Sequence, residues 1–164
     1  MLITSFDTII NRFLRRVEKD SNFFTHYNLT ESESIELIHE QSKGYLYDAI
    51  DLLISRCTPQ VDFYDYDREL EVFNFDLTPF EINMLSSLMF QVHMERDFSL
   101  LSAFRVRMTP SDLNVFSPAQ ERSSFVSLYE KIKRENEITI SKYVSTDRIS
   151  QKYLSIDHSK YDYS

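Results

Sequence analysis

The stretch that decides the fold is TPFEINMLSSLMFQVHMERDF, residues 78–98. It opens on Thr78, Pro79 and Glu81, the order of a capping box. The threonine hydroxyl accepts from an amide of the first turn, the glutamate reaches back, and proline stands where no amide hydrogen is needed. Apolar residues then recur at steps of three and four, so the pattern predicts a central, largely buried helix and indicates no reaction. They form two stripes, Ile82, Leu85, Leu88, Met89 and Val92 in one, and Phe80, Met84, Met94 and Phe98 in the other.

Two more helices are predicted before this stretch. The first is amphipathic and covers residues 6–17, with Thr4 or Ser5 as its cap. The second opens on another capping box, Thr30 and Glu33, and continues for about 27 residues before a proline stops it. Its apolar stripe consists of Ile35, Ile38, Tyr45, Leu46, Ala49, Ile50, Leu53 and Cys57.

Gly44 is the only glycine of the chain. Phosphate-cradling loops depend on glycine, so a chain with one glycine has effectively no nucleotide-binding motif of this kind. In the middle of a helix a glycine costs about 1 kcal/mol relative to alanine. We therefore expect another backbone to pack closely against Gly44.

Residues 61–76 change period and predict two short strands, or an extended excursion. This segment is acidic, since Arg68 is the single basic residue between positions 62 and 81. The spacing of its acids lacks the turn glycine and the terminal glutamate of a calcium-binding loop, so we predict no metal site in it. The acids are Asp62, Asp65, Asp67, Glu69, Glu71, Asp76 and Glu81.

A last helix is predicted from Ser117-Pro118-Ala119-Gln120 to about residue 143. Residues 144–164 are polar and rich in tyrosine, without a helical stripe, and predict an extended C-terminal arm on a helical body of residues 1–143. The arm holds more apolar material than a solubilising tail needs, so we expect it to become ordered on a partner. Its deletion should leave the body folded. The candidate binding residues are Ile149, Tyr153, Leu154, Ile156, Tyr161 and Tyr163.

Composition limits the function classes. A chain of 164 residues fits one domain, and the predicted fold class is mainly α, a bundle of about four principal helices. Its formal net charge of −8 argues against a general grip on nucleic acid or on anionic membranes. Cys57 is the only cysteine, which excludes an internal disulfide framework. No apolar run reaches the ~20 residues of a membrane span, and we expect a soluble protein that is not Sec-exported.

Catalytic signatures are not found. The four histidines, His26, His39, His93 and His158, are scattered, and none has a second histidine at i+4 as in helical metal sites. His93 and Glu95 are two positions apart, so on a helix they point to different sides. We predict no enzyme, no cofactor and no metal, although an enzyme whose site is assembled only by the fold stays open.

The order of the pieces carries a resemblance. Leu77-Thr78-Pro79-Phe80-Glu81-Ile82 opens the central helix, and Asn114-Val115-Phe116-Ser117-Pro118-Ala119 opens the last. This arrangement resembles the head-tail connector, or neck, proteins of tailed bacteriophages of low-GC Gram-positive bacteria, in which Leu-Thr-x-x-Glu-Ile and Phe-Phe-Ser-x-Ala helix starts recur. The resemblance runs from about Ile3 to Tyr143. The chain departs from the family pattern by lacking a tryptophan on the central helix, where Met94 or Phe98 stands.

The resemblance implies a structural virion protein at the head-tail junction, made in the host cytoplasm. Such an adaptor joins other copies of itself in a ring, twelve-fold in the family, and binds the portal protein after DNA packaging. It also contacts a downstream neck or tail protein, and DNA passes through without sequence-specific binding. The arm would dock on the portal or on a neighbouring copy. The alternative is a small helical host-directed binding or regulatory protein without catalysis.

Overall fold

The computed structural model describes residues 3–18, 29–107 and 119–155, with backbone alone at 97–107 and 119–124. Four helices dominate these residues, beside one small sheet, and this confirms the predicted fold class. The central helix and the two helices before it start within one or two residues of the positions that the sequence pattern predicts. The elements are β1 (Thr4–Ser5), α1 (Phe6–Val17), α2 (Glu31–Arg56), β2 (Tyr66–Asp67), β3 (Val72–Phe73), α3 (Pro79–Arg107) and α4 (Ala119–Ser145).

Helix α3 is the centre of the bundle and packs against α1, α2 and α4. It begins as a capping box, since the Glu81 amide donates to Thr78 Oγ1 at 3.3 Å and the Thr78 amide donates to Glu81 Oε2 at 2.7 Å. Leu85, Leu88 and Met89 of its first stripe are buried. Burial of such side chains contributes ~1.5–3 kcal/mol each relative to exposure, so this helix supplies much of the core.

Helices α2 and α4 extend beyond the core, and this makes part of the sequence prediction wrong. On α2 the buried residues begin only at Ser42, and Ile35, predicted as core, is 62% exposed. Leu128 on α4 is likewise exposed. Helical spacing shows which residues share a face, whereas burial also needs a neighbouring element at that height of the helix.

The close packing expected at Gly44 is also wrong. Among the described residues, nothing lies within 4 Å of the place a Cβ would take at this position, and the residue is exposed. The glycine therefore keeps its helix-propensity cost without a packing reason.

The sheet has the order β1-β3-β2, with both pairs antiparallel. Residues 66–67 and 72–73 confirm the small β excursion, and the third strand, Thr4–Ser5, was not predicted because two residues carry no alternation. Phe73 of β3 pairs with Thr4 on one side and Tyr66 on the other. The buried ring of Phe73 lies edge-on to Phe6, which joins the sheet to α1.

Two of the acids of residues 62–76 organise turns. Asp62 accepts from the Tyr64 amide at 2.8 Å, and Asp67 accepts from the amides of Glu69 and Leu70 at 2.8 and 3.0 Å. Such Asx turns are a common use of aspartate in connections. No helix in the described part of the chain is long and apolar enough to cross a membrane.

Candidate partner-binding surface at the C-terminal hairpin

Residues 145–155, hereafter the C-terminal hairpin, fold back on themselves where we expected an extended arm. Thr146 and Tyr153 form an antiparallel bridge. Backbone hydrogen bonds from Asp147 N to Lys152 O at 2.7 Å and from Leu154 N to Ser145 O at 2.8 Å close the ladder around them. The start of the arm therefore has its own structure in the single chain.

A buried carboxylate holds this hairpin to the body. Glu81 is 0% exposed. Its Oε2 accepts from the amide and the hydroxyl of Thr78 at 2.7 and 3.0 Å, while its Oε1 accepts from Tyr143 OH at 2.9 Å and from Arg148 Nε at 2.6 Å. A buried charge is tolerated only when it is paired and hydrogen-bonded, and Arg148 of the hairpin supplies the opposite charge. We call Glu81, Tyr143 and Arg148 the Glu81 latch.

Two further contacts fix the hairpin beside the latch. The Arg148 guanidinium also donates to the Asp76 carbonyl and lies over the Phe75 ring, 5.6 Å from its centroid. The Gln60 side chain makes two hydrogen bonds to the hairpin backbone. It donates to Thr146 O at 2.7 Å and accepts from Arg148 N at 3.0 Å. The hairpin thus contacts both the α2–β2 connection and the segment before α3.

The environment of Tyr143 suits a phenol that stays protonated. Burial, and then the neighbouring Glu81 carboxylate, raise the pKa of Tyr143 above its ordinary value. Both causes act in the same direction, because each disfavours a phenolate at this position. Tyr143 therefore remains a hydrogen-bond donor to Glu81 at neutral pH.

The C-terminal hairpin exposes three large apolar side chains to solvent. Ile149 is 73% exposed, Tyr153 77% and Leu154 52%, and Val144 at the end of α4 is exposed as well. Ile149, Tyr153 and Leu154, three of the predicted binding residues, thus belong to one short segment and are exposed. The other three, Ile156, Tyr161 and Tyr163, lie outside the described residues.

Sequence reasoning missed the residues that position this surface. It assigned Glu81 a capping role, which is correct but incomplete, and it gave Arg148 and Gln60 no role. The available signal for Glu81 was its position in the first turn of a helix, beside the apolar stripe. An acid at such a position faces inward. Arg148 offered none, since it lies 67 residues away from its partner.

His93 and Cys57 have surroundings typical of structural residues. His93 is buried among the rings of Phe13, Tyr45 and Phe90, with centroids 5.5–6.4 Å away. Burial raises the pKa of the Cys57 thiol, which keeps it as the less nucleophilic thiol form. One group of metal-ligand residues converges in the described part, namely Asp7, His39 and Glu71.

Comparison with known proteins adds no identification. No protein-family model matches the chain, and no curated protein or solved structure matches it significantly. A function for it is therefore argued from the hairpin geometry and from the resemblance in the helix starts.

Proposed function

We propose that this protein is a structural head-tail connector of a tailed bacteriophage, which binds the portal vertex as a ring and forms part of the DNA passage to the tail. The observation that carries the proposal is the C-terminal hairpin, with exposed apolar side chains on a base fixed by the Glu81 latch. The resemblance in helix starts supplies the class of assembly. The hairpin supplies a surface with which such a subunit contacts the portal or a neighbouring copy.

The exposed side chains fit a binding surface. Ile149 and Tyr153 each expose more than two thirds of their area on a segment of eleven residues. Exposed apolar side chains that are grouped mark interaction sites more often than isolated surface hydrophobics do. Tyrosine is enriched in interfaces because it contributes a large ring and a polar tip.

The latch gives this surface a fixed shape before binding. A segment that becomes ordered only on its partner costs ~2–5 kcal/mol of the interaction free energy. Here the ion pair of Arg148 with Glu81 and the two hydrogen bonds of Gln60 already order the hairpin. Pre-organisation of this kind raises affinity by reducing the ordering cost.

The charge distribution is compatible with a DNA passage. Six of the seven acids between residues 62 and 81 are exposed or half-buried, and the chain as a whole carries −8. Affinity for DNA comes largely from cations that neutralise phosphates, so an acidic wall lets DNA move past without holding it. Glu81, the seventh acid, is enclosed by four hydrogen bonds and acts as a structural group.

A binding experiment with a matched control tests the proposal. The double variant Ile149→Asp, Tyr153→Ser places polar groups on the hairpin, and Ile35→Asp does the same at a comparably exposed position on α2. Each purified protein is sedimented with the portal ring encoded by the same phage genome. We expect the hairpin variant to bind at least about tenfold more weakly, and the control variant to bind like the wild type.

Two results would contradict the proposal. Wild-type protein that neither co-sediments with the portal nor forms rings on it would remove the connector function. Unchanged binding by the hairpin variant would remove the hairpin as the contact surface. Retention of a host protein through the hairpin, without portal binding, would favour the host-directed alternative.

A further inference from the structure

Three side chains from separate parts of the chain meet beside the β2–β3 turn. Asp7 lies in the first turn of α1, His39 on α2, and Glu71 at the turn before β3. Their ligand atoms all lie within 4.8 Å of one another, and His39 Nε2 is 2.8 Å from Asp7 Oδ1. The group is held by backbone as well, because the Phe6 amide donates to the Glu71 carbonyl at 2.9 Å.

The charges around this group are not balanced. Lys43 Nζ lies 2.7 Å from Glu71 Oε1 and also contacts Glu40. Asp7, Glu40 and Glu71 therefore share one ammonium, and with a neutral His39 these groups sum to −2. If Glu71 turned away from Lys43, Glu40 would still pair with the lysine. The charge of the cluster thus suits a divalent cation, and its binding leaves no ammonium unpaired.

We propose that Asp7, His39 and Glu71 bind a divalent transition-metal ion, with Zn²⁺ as the ion to be tested. One imidazole nitrogen and two carboxylate oxygens are a ligand set of that class, whereas Ca²⁺ and Mg²⁺ prefer oxygen ligands alone. Tetrahedral Zn²⁺ with bonds of ~2.0–2.1 Å places its ligand atoms about 3.3 Å apart. A separation at the 4.8 Å limit must close by about 1.5 Å, a movement within reach of these partly exposed side chains.

The site would connect α1, α2 and the β2–β3 turn through one ion. This inference is independent of the connector function, because none of its residues belongs to the hairpin or to the Glu81 latch. Bound Zn²⁺ stabilises the folded chain in proportion to its affinity, so binding is also visible as a rise in the melting temperature.

Calorimetric titration of the full chain with Zn²⁺ tests the site. We expect one ion per chain, and at least about tenfold weaker binding in His39→Ala and in Glu71→Gln. The matched control is Glu69→Gln, which removes an exposed acid of the same turn and should leave binding unchanged. Circular dichroism of each variant verifies that its helices are retained.

Lys43→Gln separates a metal site from a simple ion-pair network. Removing the ammonium beside Glu71 should tighten Zn²⁺ binding severalfold if Glu71 is a ligand, because the competing cation is gone. The proposal is overturned if the wild type binds no Zn²⁺, or if His39→Ala binds it as tightly as the wild type. Equal losses in Glu69→Gln and Glu71→Gln would also overturn it, since they indicate diffuse attraction to the acidic segment.

Discussion

At the scale of single residues, Glu81 determines where the C-terminal hairpin lies. The carboxylate caps α3 through Thr78 and, with its other oxygen, accepts from Tyr143 and Arg148. A buried ion pair contributes little stability compared with a well-packed apolar pair, but loss of one partner is costly. The latch is therefore best understood as a device that fixes one position of the hairpin.

Arg148→Ala tests this account of the latch. The change leaves the Glu81 carboxylate buried without its cation, and we expect the free energy of unfolding to fall by about 3 kcal/mol or more. Urea denaturation measures it, with Arg56→Ala as the control. Arg56 meets Glu137 at 3.8 Å on the surface, so its loss should cost less than about 1 kcal/mol. Equal costs for the two variants would show that Arg148 is not a latch.

Tyr143 predicts a stability change at alkaline pH. Its pKa is raised in the folded state, so the folded chain holds the proton more tightly than the unfolded chain does. This contribution is complete below about pH 10 and is lost as the pH rises from there towards the folded-state pKa. Unfolding measured at about pH 8 and about pH 11 should show a smaller loss in Tyr143→Phe than in the wild type. The same loss in both proteins would contradict the assignment.

Gly44 predicts a stabilising change. Its site on α2 is exposed and has space for a methyl group, so Gly44→Ala gains helix propensity without a steric cost. We expect the free energy of unfolding to rise by about 1 kcal/mol in urea denaturation. An unchanged or lower free energy of unfolding would contradict the prediction.

At the scale of elements, two helices of this chain start with the same capping box in different surroundings. Thr30 and Glu33 open α2 in solvent, whereas Thr78 and Glu81 open α3 against the core. A hydrogen bond from the Thr30 backbone amide lowers the pKa of Glu33, because it stabilises the charged carboxylate. The capping box on α3 has a second role, because Glu81 also accepts a hydrogen bond from Arg148 of the hairpin.

The stability contributions of the two capping boxes can be compared within this one chain. Thr30→Ala should cost about 1 kcal/mol, the usual effect of losing a threonine cap. Thr78→Ala should cost more, about 2–3 kcal/mol, since it also removes a donor from a buried carboxylate. Urea denaturation of both variants checks the order. A larger cost for Thr30→Ala would show that the buried box is not coupled to the latch.

At the scale of the whole molecule, the C-terminal hairpin belongs to the folded body. The sequence pattern predicts a body that ends at residue 143, and the structure places residues 144–155 against the α2–β2 connection and the start of α3 through Gln60 and Arg148. A truncated chain must therefore keep the hairpin if its fold is to be preserved.

Two truncations test this. A chain that stops after Ser155 keeps the latch, and its free energy of unfolding should stay within about 0.5 kcal/mol of the wild type. A chain that stops after Tyr143 loses Arg148 and should be less stable by about 3–5 kcal/mol, contrary to the expectation from sequence. If the shorter chain is as stable as the longer one, the hairpin is not part of the folded body. The chain ending at Ser155 also shows whether Ile156, Tyr161 and Tyr163 are needed for portal binding.

The sequence by itself determined the helices of this protein and where they begin. The capping boxes at Thr30 and Thr78 and the apolar stripe after Thr78 act within a few residues, so their geometry follows from local spacing. Even the presence of strands near residues 66–73 follows from a local change of period.

Only the tertiary structure decided which of these residues meet. Strand β1 pairs with a segment about 70 residues away, Arg148 reaches Glu81 across a separation of 67, and His39 approaches Asp7 across 32. It also left Ile35 in solvent, although its spacing matches the core stripe. Such contacts depend on how whole helices pack, which no local pattern encodes, because the packing free energy is shared among many distant side chains.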